Sequence, residues 1–283
     1  MSGLLAGRAV VVTGAGRGLG RSFAIAIAEA GAAVVVNDID ADEAATVVAE
    51  IEAAGGRAVA SAASVAEWET AGELIDGCVE AFGSIDGLVN NAVAYPYYGP
   101  PWEESGEQIR IAVEVNLLGQ LFCGAHAMRH MVAAGRGSIV NLTSRAHVGI
   151  VGASTYVTTK GAVASATYAW SLETAQFGVR VNALAPGAKT RGHELAGKYA
   201  TYAKTTADSP DLVAPAVVYL LSDLSAALNG QIVLSMGRKL GLMLHPKVFD
   251  HIEERDAWTA EEIAATFERV YRAHLEPVGV TPL

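Results

Sequence analysis

The sequence predicts a doubly wound α/β domain built on a parallel sheet. Three observations predict it. Short β-branched runs alternate with Ala-rich segments of helical period along most of the chain. The runs have unbroken apolar centres, such as Val34-Val35-Val36, which suits strands buried on both faces. A glycine-rich stretch, residues 14–20, stands where the first run gives way to the first helical segment.

In chain order, the first strand is expected at Ala9–Thr13, followed by a helix whose stripe is Leu19, Phe23 and Ile27. Ala33–Asn37, Arg57–Ser61 and Gly87–Asn90 are the next three strands. A long helix over 107–134 carries two apolar stripes. One is Ile111, Val115, Leu118, Phe122 and Ala125; the other is Val113, Leu117, Leu121, Gly124, Met128 and Met131. A helix apolar on two faces is covered on two sides. The fifth strand is 138–142. It leads to a second such helix over 154–177, uncharged from Gly161 to Leu172. One side of each helix suits the sheet and the other a second subunit, which predicts a homodimer or homotetramer. The sixth and seventh strands are 179–184 and 231–234, and between them residues 187–208 read as a helical lid over a substrate. That lid carries Lys189, Arg191, His193, Lys198, Tyr199, Tyr202 and Lys204. His147 and Tyr95-Pro96-Tyr97-Tyr98 are expected to flank the same mouth. The expected organisation is one seven-stranded domain over 1–235 and a C-terminal extension over 236–283. In the extension Thr259 and Glu262 form a capping box ahead of a stripe of Ile263, Phe267 and Val270.

Composition bounds the function. Of 283 residues, 51% are hydrophobic and 18% charged, enough apolar area for a core and too much for global disorder. The net charge of −10 argues against nucleic acid or an anionic membrane as partner, since both need clustered positive charge. No uninterrupted apolar run approaches the ~20 residues of a spanning helix. Two cysteines, Cys78 and Cys123, lack any metal or redox spacing, and the metal expectation is none. No secretory pattern opens the chain, so the expected compartment is the cytoplasm.

Thr13-Gly14-Ala15-Gly16-Arg17-Gly18-Leu19-Gly20 joins a strand to a helix. Glycines let backbone approach a pyrophosphate, and the helix N-terminus offers it unpaired N–H groups. Asp38 lies 18 residues beyond Gly20 at the end of the second strand. That is near the ~20-residue interval to an acid that binds ribose hydroxyls. Asp38 favours NAD, because its carboxylate stands where the extra phosphate of NADP would go. Arg17, inside the loop, pulls the other way, so NADP is the lesser expectation.

Ser144 is expected to end the fifth strand, and Tyr156 and Lys160 share one helical face at i and i+4. A free phenol ionises near pH ~10, and a nearby ammonium makes it a better base. Ser144 would hold the substrate oxygen.

With these motifs the sequence resembles the short-chain dehydrogenases/reductases, over roughly residues 5–235. The likeness rests on the glycine loop, Asn90-Asn91-Ala92, Asn116, Ser144, Tyr156, Lys160 and Pro186-Gly187. It implies a Rossmann fold and a catalytic set of Asn116, Ser144, Tyr156 and Lys160. Asn116 would hold a relay water and Lys160 the nicotinamide ribose. It implies cofactor contacts from Gly14, Gly16, Arg17, Gly18, Leu19, Gly20, Asp38, Ser64, Val65, Asn90, Tyr156, Lys160, Pro186, Gly187 and Lys189. A narrower similarity is to the hydroxyacyl-CoA dehydrogenase part of peroxisomal β-oxidation enzymes and to bacterial relatives acting on steroids and acyl-CoA esters. It rests on Val36-Asn37-Asp38, Asn182-Ala183-Leu184-Ala185-Pro186-Gly187-Ala188, Thr190-Arg191 and Pro210-Asp211-Leu212-Val213-Ala214-Pro215. Three positions depart from the family pattern. Val93 replaces the glycine of Asn-Asn-Ala-Gly, Ser64 stands where an Asp often meets adenine, and the Ser144–Tyr156 interval is one residue short. The implied activity is NAD-dependent interconversion of a secondary alcohol and a ketone on a hydrophobic small molecule. The rival readings are a lyase or isomerase with tightly held NAD and a non-catalytic nucleotide-binding protein.

Overall fold

In the computed structural model, residues 3–95, 97–188, 208–276 and 279 are described. Seven strands pair in parallel: β1 (Ala9–Thr13), β2 (Ala33–Asn37), β3 (Arg57–Ser61), β4 (Gly87–Asn90), β5 (Gly137–Leu142), β6 (Val179–Gly187) and β7 (Ile232–Met236). An eighth, β8 (Lys239–Met243), pairs antiparallel with β7 and corrects the expected count of seven. A two-residue turn at Gly237-Arg238, with Gly237 at φ +56°, folds the chain back on the sheet edge. Leu240 and Leu242 are exposed, so β8, like the edge strand β3, lacks the doubly buried apolar centre of the other strands. The stretch after residue 235 therefore begins as part of the sheet.

The strand order β3-β2-β1-β4-β5-β6-β7-β8 reverses direction between β1 and β4. A doubly wound sheet opens a crevice there, beyond the carboxyl ends of the strands. Neighbouring strand residues point to opposite faces, which accounts for the unbroken apolar runs. Val10, Val12, Val34 and Val36 pack under α1 (Gly18–Glu29), α2 (Ala41–Ala53) and α7 (Ala214–Leu221). Val11, Val35, Leu88 and Ile139 face Leu74, Ile75, Cys123 and Met131 of α3 (Trp68–Phe82) and α5 (Gly119–Ala134).

The expected helix over 107–134 is present but not uniform. It runs as α4 (Gly106–Val113), a π turn (Glu114–Leu118) and α5. By length and composition Gly106–Ala134 could cross a membrane, yet it lies on the sheet through Cys123 and Met131 as a layer of this fold. The next long helix, α6, spans Ser154–Thr174 and ends in a single 3₁₀ turn. The capping box of Thr259 and Glu262 opens α8 (Ala260–Thr266) as expected. Of the anticipated lid, residues 189–207 lie outside the described residues, and so do Lys189, Thr190, Arg191, His193 and Pro96.

Candidate active site

A cleft of about 410 Å³ opens at the β1/β4 switch point. Backbone ends form most of its wall: Gly14, Gly18, Leu19 and Gly20 after β1, Asp38 after β2, Ser64 and Val65 after β3, and residues 91–95 after β4. The loop is folded tightly. A Cβ at Gly20 would come within 2.1 Å of the Gly14 carbonyl oxygen, and one at Gly14 within 2.8 Å of the Ala92 Cα. Gly18, at φ +55°, meets nothing within 4 Å, so its outer side is open for a ligand. Helix α1 starts at that open side with no side-chain cap and no acid in its first turn. Unpaired N–H groups, positive dipole and open glycine together fit a pyrophosphate.

Asp38 closes the far wall of the cleft. Its carboxylate accepts from the Gly16 N–H at 2.9 Å and from the Asp40 N–H at 3.1 Å, which ties the glycine loop to β2. Lone pairs remain for ribose hydroxyls. Gly16 is therefore a support of Asp38 rather than part of the lining. Arg17 is exposed on the rim. Val93 and Ser64 both line the cleft, so these two departures from the family pattern face the nucleotide side.

Asn90 stands elsewhere. It is 1% exposed, and its amide donates to the Gln120 carbonyl at 3.2 Å and to Asn141 Oδ1 at 2.9 Å. It joins β4 to its neighbours inside the core, while its successor Asn91 faces the cleft. Asn91 Nδ2 donates to the Thr13 and Gly14 carbonyls, both at 2.9 Å, and Thr13 Oγ1 accepts from the Asn91 and Ala92 N–H groups at 3.0 Å. Thr13 and Asn91 thus brace the loop against β4. Sequence reasoning quoted both residues but gave neither a role; the signal was their place at two adjacent strand ends. Pro186 and Gly187 close β6 and do not line this cleft.

Beyond the nucleotide end, side chains from separate elements meet. The fifth strand stops at Leu142, so Ser144 lies two residues past it and caps a one-turn 3₁₀ helix, Arg145–Val148. Tyr156 lies in the first turn of α6. The Ser144 and Tyr95 hydroxyls stand beside its phenol. Burial pushes the Tyr156 phenol up, and these two hydroxyls pull it down. Lys160, 2% exposed, donates to the Leu142 carbonyl at 2.6 Å and holds its Nζ 5.9 Å from the centre of the Tyr156 ring. Burial lowers its ammonium to about 7. The Lys160 carbonyl accepts from Thr143 Oγ1 at 2.7 Å, so the helix is pinned to the strand end. His147, on the 3₁₀ turn, contacts Thr143 Oγ1 at 3.4 Å and is also lowered by burial.

Asn116 sits in the π turn with its side chain fully buried. Its Oδ1 accepts from the Ala94 N–H at 2.6 Å, and its Nδ2 donates to the Ala94 carbonyl at 2.9 Å. This reciprocal pair fixes the segment leaving β4 just before Tyr95. The π turn, as commonly at functional sites, re-aims one side chain of an otherwise regular helix.

A dinucleotide cleft joined to a Ser-Tyr-Lys group on this fold defines an oxidoreductase of CH–OH groups that uses NAD or NADP. The chain belongs to the short chain dehydrogenase family, whose model matches residues 8–194. It is 37% identical over 242 residues to the cis-4-hydroxycyclohexanecarboxylate dehydrogenase of Sinomonas cyclohexanicum, covering 82% of this chain and 96% of that one. It is 35% identical to the cyclohexanol dehydrogenase of Acinetobacter sp. strain SE19, covering 81% and 94%. A short chain dehydrogenase from Mycobacterium avium superposes with a TM-score of 0.88 at 34% identity, over 99% of this chain and 100% of that one. A gluconate 5-dehydrogenase from Burkholderia cenocepacia, solved with NADP and tartrate, gives 0.76 at 31% identity, over 82% and 95%.

Proposed function

We propose that the protein oxidises a cyclic secondary alcohol with NAD, using Tyr156 as general base. The observation that carries this is the meeting of the Ser144, Tyr156 and Tyr95 hydroxyls beside a glycine-loop cleft that Tyr95 itself lines. Bound NAD would supply the nicotinamide that accepts a hydride from the carbinol carbon. Ser144 Oγ donates to the substrate oxygen and orients it. Tyr156 Oη takes the hydroxyl proton. Lys160 lies under the Tyr156 ring, where its positive charge favours the ionised phenol. Its burial suits it to hold the nicotinamide ribose. The side-chain bonds of Asn116 run to Ala94, and we assign it to positioning that segment. Gly14, Gly18, Leu19 and Gly20 take the pyrophosphate, Asp38 the ribose hydroxyls, and Ser64 and Val65 the adenine side.

Two lines support a cyclic hydrophobic substrate. Two of the relatives named above, the cis-4-hydroxycyclohexanecarboxylate and cyclohexanol dehydrogenases, are named for cyclohexane-ring alcohols. Tyr95 and Tyr98 stack at 6.0 Å, 16° from parallel, and give the mouth a flat aromatic wall. Rates with cyclohexanols, steroids and 3-hydroxyacyl-CoA esters, each with NAD and NADP, test this reading. Activity confined to acyclic alcohols would overturn the substrate class, and equal use of NADP the cofactor.

The same proposal includes a homo-oligomer. Only 39% of the most apolar stretch of Gly106–Ala134 is buried within one chain. Light scattering at micromolar concentration should give a multiple of the chain mass; a monomer would refute it. A cytoplasmic location is also part of the proposal. Cys78 and Cys123 are free and buried, with thiols pushed up to about 12, as suits a reducing compartment. Their localisation can be checked by fractionation.

A further inference from the structure

Arginines at the two ends of the sheet are treated differently. At the amino ends of the strands they are satisfied. Arg8 donates to the Leu221 carbonyl and to Asp223, Arg136 to Asp86, and Arg180 to the carbonyls of Leu220, Ser222 and Ser225. Arg145 stands at the other end, after β5. It directly follows Ser144 and opens the 3₁₀ turn packed against α6. It is half-buried, and its Nη1 is shut off from solvent with no hydrogen-bond partner. Among the described residues it joins no salt bridge. Glu104, the acid tied to the first turn of α6, accepts from Thr155 Oγ1 at 2.7 Å instead. Burial pulls the Arg145 guanidinium down from its ordinary value. Burial does the same at Arg180, but there Asp223 opposes it. A buried guanidinium N–H without an acceptor costs free energy, more than a neutral donor would. Beside the residue that holds the substrate oxygen, such a group has the character of a binding group rather than a structural one.

We propose that Arg145 determines substrate specificity by receiving a carboxylate carried by the ring alcohol. The inference rests on the reading of the protein as an oxidant of cyclic alcohols whose oxygen Ser144 holds. Arg145 is the next residue in the chain, so a ring seated on Ser144 has a cation close by. A guanidinium stays charged throughout the working pH range, and its planar fork of N–H donors matches a carboxylate. A carboxylate there would give Nη1 its acceptor in a place screened from water, where a charge-assisted pair is strong. The stacked Tyr95 and Tyr98 rings suit the apolar ring of such a substrate, and Arg145 suits its acid group.

A phosphate is the competing anion, and it has two sources. The pyrophosphate of the cofactor belongs to the glycine loop after β1, whereas Arg145 follows β5, two strands further along the sheet. A terminal phosphate on the substrate, as in an acyl-CoA ester, carries nearly two negative charges and draws more than one cation. The other basic side chain of the 3₁₀ turn is His147, and burial lowers it, which favours its neutral form. One guanidinium beside a neutral imidazole fits the single charge of a carboxylate.

The experiment compares hydroxycyclohexanecarboxylates with the matching hydroxycyclohexanecarboxamides, which keep the shape and lose the charge. Both are oxidised with saturating NAD by the wild type, Arg145→Met and Arg145→Lys. In the wild type the best carboxylate should exceed its carboxamide in kcat/KM by about tenfold or more, the low end for a charged hydrogen bond, chiefly through KM. In Arg145→Met that ratio should fall to near unity, and Arg145→Lys should recover part of it. A wild-type ratio near unity overturns the proposal. So does an equal loss on both substrates in Arg145→Met, which is what a merely structural arginine gives. Inhibition of the wild type needs no variant: cyclohexanecarboxylate should inhibit about tenfold more tightly than cyclohexanecarboxamide, and equal inhibition overturns the proposal. If the preference that Arg145→Met abolishes is for a 3-hydroxyacyl-CoA ester over its uncharged N-acetylcysteamine thioester, the anion is a phosphate and the carboxylate assignment falls. Turnover of cyclohexanol with no preference for carboxylates sinks this inference alone. No turnover of any ring alcohol sinks the proposed function together with it.

Discussion

The nucleotide cleft is walled by backbone from four strand ends, while the group around Tyr156 is assembled from side chains that start far apart in the chain. In the cleft, Gly14, Gly18 and Gly20 matter for the atoms they lack. Around Tyr156, the neighbouring groups come from several elements: Ser144 after β5, Tyr95 after β4 and Lys160 one turn along α6, while Asn116 in the π turn holds the segment that carries Tyr95. A pyrophosphate is recognised by N–H groups that any residue can offer, so the cleft needs mainly room. Proton transfer needs particular atoms at hydrogen-bonding distance, so the catalytic group needs particular side chains and a frame to hold them.

The largest expected effect breaks the catalytic half and spares the other. Tyr156→Phe should keep nucleotide binding while turnover falls ~10²–10⁴-fold, the usual contribution of general acid–base catalysis. Rates within a few-fold of wild type would mean another group is the base. Gly20→Ala is the mirror experiment. Its methyl would meet the Gly14 carbonyl at 2.1 Å, and the loop must open to admit it. Overpacking by one methyl group ordinarily costs ~1–3 kcal/mol, so nucleotide affinity by calorimetry should drop about tenfold or more, with Ser144 and Tyr156 undisturbed. Unchanged affinity would show that the tight loop is not what binds.

A smaller effect sharpens how the cleft selects its ligand. Asp38→Ser removes the carboxylate that would repel a 2′-phosphate and leaves Arg17 on the rim. Preference for NAD over NADP, expected at well over tenfold in the wild type from charged hydrogen bonds of ~1.5–3 kcal/mol each, should shrink or invert. Wild-type kcat/KM values that match for the two cofactors would remove the basis of the preference.

The smallest effect concerns Lys160 in protein without added nucleotide. Its ammonium titrates near about 7 when folded, against 10.5 for an ordinary lysine. Between these values the unfolded chain binds one proton more than the folded chain, so stability rises with pH across the window. In Lys160→Met this contribution is absent, and thermal midpoints should climb less steeply from about pH 7 to pH 10.5 than in wild type. Parallel slopes would show that the buried ammonium keeps its ordinary proton affinity.

Local pattern was enough for several features. Strands β1 to β4 fall where the apolar runs predict them; for β1, β2 and β4 the reason is that a strand buried on both faces is largely apolar. The glycine loop, Asp38 and the Tyr156/Lys160 spacing are short-range patterns whose geometry follows from one turn or one helical face. Other features were not legible because their cause lies across the fold. Asn90 and Asn91 are adjacent and chemically identical, yet the pleat sends one into the core and the other into the cleft. Nothing in the sequence of 107–134 marks a π turn, since the bond that uses it runs from Asn116 to a strand end 22 residues away. Strand β8 lacks a buried apolar centre and is held by its neighbour β7.

By itself, then, the sequence determined the layer architecture, the place of the glycine-loop cleft and the hydroxyl groups proposed to react, because each depends on residues near one another in the chain. Only the tertiary structure decided that Tyr95 touches Tyr156, that Asn116 closes on Ala94, and that Lys160 lies buried against Leu142. Those contacts join elements whose relative positions are set by packing, and no local preference of the backbone encodes the distance between them.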